Sequence, residues 1–285
     1  MLPDAASLVT RALSFVCMLQ AAGVALFLGA FGSDLARTFD GIRRIGKLTA
    51  LSGIVLVLMQ ASLEAARMSG DMAGIADVSL QKFALDSTTG AAATLRVLGL
   101  AMIAVVLRRA GHPRVRWGVV GAALVAISFA VTGHTSIHPQ RWVLGTLLVF
   151  HVLVIAFWFG ALTPMYYLSM RAPDACAKVI ERFTALATWL VPMIFLAGLG
   201  MALIMIPSVA VLGEPYGELL IAKVAGFAAL MALAVANKWR LGPALASGEP
   251  GGARRFRQAC GAELVLIVIV LAVTAMMTSF FSPEH

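Results

Sequence analysis

Long apolar runs, separated by short polar connections, account for most of the chain. A helix needs about 20 mostly apolar residues to cross a bilayer, and a segment in lipid must satisfy its own backbone hydrogen bonds. The pattern therefore predicts an all-α integral membrane protein with a single polytopic domain over residues 1–285. Its eight predicted helices span approximately residues 7–33, 43–68, 87–109, 116–136, 141–169, 180–207, 217–239 and 256–280.

The composition excludes a soluble globular protein. Hydrophobic residues make up 60% of the chain, charged residues make up 13%, and the mean hydropathy is +0.92. The net charge of +8 does not indicate nucleic-acid binding, because the basic residues lie in short connections rather than on one polar face. Three distant cysteines, Cys17, Cys176 and Cys260, form no CxxC pair, and so predict neither a disulfide framework nor a structural zinc site.

The basic residues predict the orientation of the helices. Sixteen Lys and Arg residues fall in the connections after the first, third, fifth and seventh predicted helices, against four toward the other face. Basic connections are retained on the cytoplasmic side, so both termini are predicted to face outward. The first apolar run is expected to be a retained helix rather than a cleaved signal. The long outward connection 69–86 could hold a short interfacial helix that covers the outer mouth of the bundle.

Three of the five histidines lie at the end of the fourth predicted helix and inside the fifth. His134 and His138 are four residues apart, a metal-chelating spacing if the helix continues to Pro139; otherwise His138 caps a turn. His151 is predicted to lie roughly 15 Å below the outer mouth, at 1.5 Å per residue. A histidine in lipid is expected to be either a metal or haem ligand or a hydrogen-bonding partner of another helix. The difference in depth favours two successive sites over one shared ion.

Methionine gives a second indication of metal binding. Eight of the fourteen methionines map to the outer half or the outer connections, with Cys17 beside them. Thioethers and imidazoles together suit copper, as Cu(I) or Cu(II), although methionine also fills gaps between helices. Met201 and Met205 are the first candidates; the remaining outer sulfur residues are Cys17, Met18, Met59, Met68, Met72, Met276 and Met277.

Charged side chains inside predicted helices need partners. These side chains could pair or line a path, and Glu64 and Arg96 are the pair closest in expected depth; Lys223 could instead extend to the outer interface. Glu263 is a further such residue. The segment WFGALTP joins Trp158, small residues that allow close helix approach, and Pro164, which is expected to kink its helix.

Four segments in the second half carry a resemblance to a known family: HVLVIAFWFGALTPM (151–165), RFTALA (182–187), YGELLIAKVAGFAALMALAVANKWRLGPAL (216–245) and AELVLIVIVLAVTAMMTSFFSP (262–283). The chain resembles the CopD/PcoD copper-resistance membrane proteins, and GHTSIH is similar to that family's GHA-like histidine segment. The resemblance implies a multi-pass protein of a bacterial inner membrane that takes copper from the periplasm, with a periplasmic copper carrier as partner, and passes it inward. It points to His134 and His151 as copper-handling residues and to Trp158, Lys223 and Asn237 as family-typical positions.

Three functions follow as hypotheses. The first is a non-enzymatic copper permease or delivery protein; no GxxxxGK[ST] motif is present to bind ATP. The second is a haem-b redox subunit, which for two haems would need four suitable histidines where the chain has at most three. The third is a membrane accessory protein that supports copper insertion into an oxidase without transport.

Overall fold

The fold is a bundle of helices. A computed structural model describes residues 2–32, 35, 39–108, 115–206 and 208–281, and in this part of the chain all regular structure is helical. Short 3₁₀ segments lie at Met72–Ala76 and Val209–Gly213, and a π-helical turn lies at Asn237–Leu241. The α-helices are α1 (Leu2–Phe31), α2 (Phe39–Ser69), α3 (Val78–Leu85), α4 (Thr88–Arg108), α5 (Val115–Ala130), α6 (His134–Ile137), α7 (Arg141–Arg171), α8 (Pro173–Met205), α9 (Pro215–Ala236), α10 (Gly242–Ala246) and α11 (Gly252–Phe280).

Each of the eight predicted helices corresponds to one helix of the structure. Seven helices in the described residues are long and apolar enough to cross a membrane. The remaining predicted helix, the fourth in chain order, corresponds to α5. Its apolar part has only 14 residues, Trp117–Ala130, because the chain leaves the helix three residues before Gly133. The predicted short helix in the connection 69–86 is present as α3. The Asp77 carboxylate caps it by accepting hydrogen bonds from the backbone N–H groups of Ser79 and Leu80.

Helices α1 and α7 cross at the centre of the bundle with their backbones in contact. A Cβ atom on Gly23 would lie 1.8 Å from the carbonyl oxygen of Ala156, and one on Gly160 would lie 2.2 Å from the backbone of Gly23. Only glycine permits this approach at both positions. The small residues of WFGALTP therefore allow close packing, as predicted. Pro164 lies inside α7 without ending it, since the helix continues to Arg171.

The second half of the bundle is more open than the first. Helices α2, α4 and α5 surround α1, whereas α8 packs mainly on α7 and α9 mainly on α11. Only four residues of α8 and three of α9 are buried within the bundle, so a bilayer would cover much of the remaining surface of these helices. A groove between α8 and α9 therefore has α7 and α11 as its back wall.

Contacts between distant segments show which helix ends lie together. The Arg11 guanidinium, near the beginning of α1, donates a hydrogen bond to the carbonyl of Thr278, near the end of α11 (3.2 Å). We call this the terminal end of the bundle. At the opposite end, Arg43 donates to the carbonyl of Leu107 (2.8 Å) and Arg182 donates to that of Ala30 (3.4 Å). We call this the basic end, because it carries the positively charged connections.

Candidate metal site

His151 occupies the interface between α7 and α8. Its ring lies against the backbone carbonyl of Ile194, and a Cβ atom on Gly198 would be 3.6 Å from its Cε1. This is an ordinary van der Waals distance, so the imidazole packs directly against α8 at Gly198. The Nδ1 atom is buried, and within the described residues it has no hydrogen-bond partner. A buried nitrogen lone pair without a partner is costly, and a metal ion is one way to satisfy it.

Met201 and Met205 lie on the same side of α8 as the residues that contact His151. They follow Ile194 and Gly198 by seven residues each, which is close to two helical turns and returns to the same face. At 1.5 Å per residue, Met201 is about 4.5 Å and Met205 about 10.5 Å farther along the helix than Gly198. Both are half-buried. The structure therefore places the two methionines first chosen from the sequence on the His151 face of α8, between that histidine and the terminal end.

Lys223 of α9 is close enough to His151 for its charge to act on the imidazole. A nearby ammonium opposes a second positive charge at this position. The ammonium would therefore weaken the binding of a cation at His151.

The two other candidate histidines do not share a helical face. Helix α5 ends at Ala130, Gly133 has φ +80°, and α6 contains only His134 to Ile137. His138 follows as an extended residue, and its Nδ1 accepts a hydrogen bond from the backbone N–H of Gln140 (3.0 Å). The helix does not continue to Pro139, so the condition for the helical chelating spacing is not met, and metal binding by these two histidines stays a prediction. The side chain of His134 lies outside the described residues.

The remaining outer sulfur residues have different surroundings. Met18 is fully buried in the main core, and Met277 belongs to a small separate cluster. Met59, Met68 and Met276 are exposed on the bundle surface, whereas Met72 and Cys17 are half-buried. Met18 packs as an ordinary core residue, and metal binding by the others stays a prediction.

Glu64 does not pair with Arg96, so that prediction was wrong. Its carboxylate lies 3.4 Å from the Arg11 guanidinium and 3.3 Å from that of Arg67, and it also accepts from Gln60. Arg96 instead donates to the Ser128 hydroxyl (3.1 Å) and lies over a phenylalanine ring. A similar depth in the membrane does not by itself make two charged side chains pair. Glu64 bonds to Arg11 of α1, whereas Arg96 bonds to Ser128 of α5.

A polar cluster that sequence reasoning did not assemble lies toward the basic end. Glu263 of α11 is 2% exposed and accepts hydrogen bonds from the Trp158 indole N–H (3.2 Å) and from the Asn237 amide. Each residue was noted singly in the sequence, but their meeting depends on the π-helical turn that begins at Asn237. Pro243 explains this turn, because it lacks an N–H and its ring clashes with the carbonyl four residues earlier.

A cavity of about 240 Å³ adjoins this cluster. Its walls come from α7, α8, α11 and the end of α9, and they include Met165, Met231 and Cys260. Within the described residues, no three His, Cys, Asp or Glu side chains come together as a metal site. Methionine sulfur is a further suitable ligand for Cu(I), and Met165 and Met231 are among the residues that line this cavity.

These helices and their apolar surfaces define a helical multi-pass membrane protein. The family model "Copper resistance protein D-like, N-terminal domain" matches residues 1–140, and the model "Copper resistance protein D" matches residues 177–277. Copper resistance protein D of Pseudomonas syringae pv. tomato is 26% identical over 306 aligned residues, covering 99% of this chain and 98% of that protein. The chain belongs to the copper resistance protein D family, which gives it a copper-related role.

The family match extends farther than the segments that carried the resemblance. Those segments lie after Gly133, whereas the N-terminal match begins at residue 1. No solved structure matches the chain.

Proposed function

We propose that the protein binds copper at the terminal end of the bundle and moves it through the bacterial inner membrane toward the cytoplasm. Met205 and Met201 guide the metal to one stable binding position at His151, along the interface of α7 and α8. A periplasmic copper carrier supplies the metal near the segment that contains His134 and His138. The family membership supports copper as the cargo.

The observation that carries this proposal is the unpartnered Nδ1 of His151, buried on the α8 face that holds the two methionines. One imidazole with thioether ligands is a soft donor set that suits Cu(I). The spacing of the donors along α8 allows the metal to pass from one to the next. Lys223 weakens binding at His151, as release to a following site requires.

Two features support eight membrane crossings with both termini in the periplasm. Because Arg11 and Thr278 meet, the beginning of α1 and the end of α11 lie at the same end of the bundle. An even number of crossings requires α5, with the turn that follows it, to complete a passage. The positively charged connections at the opposite end favour the cytoplasm for that end.

Copper accumulation in cells that express the full chain tests the proposal. We expect His151→Ala to reduce cytoplasmic copper relative to the parent at equal membrane abundance. Thr146→Ala is a matched control on α7, since this exposed hydroxyl bonds only to the Trp142 carbonyl within the described residues. Equal accumulation by the His151 variant and the parent would contradict transport through this residue. Equal accumulation in cells with and without the protein would favour a non-transporting accessory role.

A further inference from the structure

Glu263 is a buried carboxylate held by three structural elements. The indole N–H of Trp158 comes from α7, the amide of Asn237 comes from the π-helical turn, and Glu263 itself lies in α11. Trp donates only, and an ionised carboxylate only accepts. Both oxygens of Glu263 accept hydrogen bonds here, which is the pattern that suits an ionised carboxylate.

Glu263 has no basic partner within 4.0 Å among the residues that the structure describes. Lys238 lies within the π-helical turn and lines the same cavity, but its ammonium group donates to the Thr188 hydroxyl (3.0 Å) on the α8 wall. A carboxylate in the interior of a membrane protein is stabilised by a cation. The adjoining cavity of about 240 Å³ has room for one.

The cavity walls indicate which cation would bind. Three sulfur-containing residues, Met165, Met231 and Cys260, are among those that line the cavity with Glu263. Cys260 precedes Glu263 by three residues, so both lie on one face of α11. The Oδ1 atom of Asn237 is also buried and has no hydrogen-bond partner within the described residues. Three sulfur atoms and one negative charge match a soft monovalent cation, Cu(I).

The spacing of residues along α7 relates the position of this cavity to that of His151. His151, Trp158 and Met165 follow one another at intervals of seven residues, so they lie on one side of the helix at steps of about 10.5 Å. The cavity therefore continues the line of donors from His151 toward the basic end.

We propose that this cavity is a second copper site, in which Met165, Met231 and Cys260 bind Cu(I) and the Glu263 carboxylate balances its charge. This inference rests on the proposed function, because it takes copper as the cargo. It gives the metal a binding position between His151 and the cytoplasm. Trp158 and Asn237 are positioning residues that hold the carboxylate toward the cavity.

Anaerobic titration of the purified full chain with Cu(I), in competition with a chromophoric chelator, tests the second site. We expect the parent to bind two equivalents, and His151→Ala and Glu263→Gln each to lose a different one. Glu263→Gln keeps the shape and hydrogen-bonding capacity of the side chain while removing its charge. Glu64→Gln is a control at another intramembrane carboxylate, one that already has two arginine partners. We expect it to retain both equivalents.

Met231→Leu gives an independent variant, since it preserves volume while removing one sulfur atom. X-ray absorption of the copper-loaded protein should show fewer sulfur neighbours in this variant than in the parent. If Glu263→Gln and Met231→Leu keep both equivalents and the sulfur signal while His151→Ala loses one, the second site is wrong and the proposed function stands. If the parent binds no Cu(I), both proposals fail. If Glu263→Gln blocks copper transport but keeps both equivalents, the carboxylate is not part of a metal site and this inference is overturned.

Discussion

Arg11 of α1 and Thr278 of α11 are 267 residues apart in sequence, yet the arginine guanidinium donates a hydrogen bond to the threonine carbonyl. This contact brings the first and last long helices together at one end of the bundle. Under the proposed topology the two chain ends share a side of the membrane, which reporter fusions can test.

Reporter fusions at the two chain ends should give the same result. We expect alkaline phosphatase, which is active only after export, to be active when fused after residue 285 and when fused before residue 1 behind an exported leader. Fusions in the connection between α7 and α8 should be inactive, because that connection carries the basic residues. Activity at one terminus but not at the other would require an odd number of crossings and would contradict the proposed topology.

Gly23→Ala should destabilise the bundle strongly. The added Cβ would lie 1.8 Å from the Ala156 carbonyl oxygen, so α1 and α7 would have to move apart. We expect a cost at or above the roughly 1–3 kcal/mol that is typical of overpacking. Unfolding of the purified protein in mixed micelles measures this change.

Gly261→Ala is the matched control for that experiment. Gly261 also lies within a long helix, but a Cβ added there meets no atom within 4 Å. We expect stability to be unchanged or to rise by up to about 1 kcal/mol, since alanine favours the helix. Equal destabilisation by the two substitutions would show that the crossing of α1 and α7 is not the cause.

Glu64 should be energetically coupled to Arg11 more strongly than to Arg96. Its carboxylate lies 3.4 Å from Arg11, whereas Arg96 bonds to Ser128. A double-mutant cycle on unfolding, with Glu64→Gln and Arg11→Met, should give a coupling of about 1 kcal/mol, a usual value for partners in one network. The corresponding cycle with Arg96→Met should give a smaller value. The reverse order would restore the pair first predicted from helix depth.

Lys223→Gln should tighten Cu(I) binding at His151. Removing a like charge near the imidazole lowers the cost of placing a cation there, and we expect an affinity gain of about threefold to tenfold. The gain should vanish when His151→Ala is also present, and Lys82→Gln on the distant α3 should have no effect. Competition with a Cu(I) chelator gives the affinities, and weaker binding by the Lys223 variant would mean that the lysine supports the site.

The purified protein should lack a Soret absorption band. Bis-histidine haem ligation needs two facing imidazoles at similar depth, and His138 uses its Nδ1 in the turn before α7. An absorption spectrum of protein from haem-replete cells checks this expectation. A Soret band that disappears in His151→Ala would instead support the haem-b hypothesis.

The sequence predicted the helices well because the cost of exposing backbone polar groups in lipid acts on each segment separately. It predicted contacts poorly. The depth of Glu64 follows from its position in α2, but its partner depends on which helices lie beside that face. Similarly, the spacing of His134 and His138 could not show that the chain leaves the helix at Ala130.

Two features of the sequence point to the cluster of Trp158, Asn237 and Glu263. An acidic residue deep in an apolar helix without a basic residue at matching depth indicates a polar partner elsewhere. Pro243, six residues after Asn237, indicates an irregular helix at that point. Neither signal gives the direction of the side chains, so their convergence required the packed bundle.

The position of the cavity beside Glu263 also determines where this protein can be cut into fragments for experiments. The C-terminal family match covers residues 177–277, yet Trp158 and Met165 lie on α7, outside both matched regions. A fragment made to that boundary would lack one wall of the cavity and the indole that orients the carboxylate. Fragment complementation should therefore keep α7 joined to the C-terminal helices, with the break placed in the segment before Arg141.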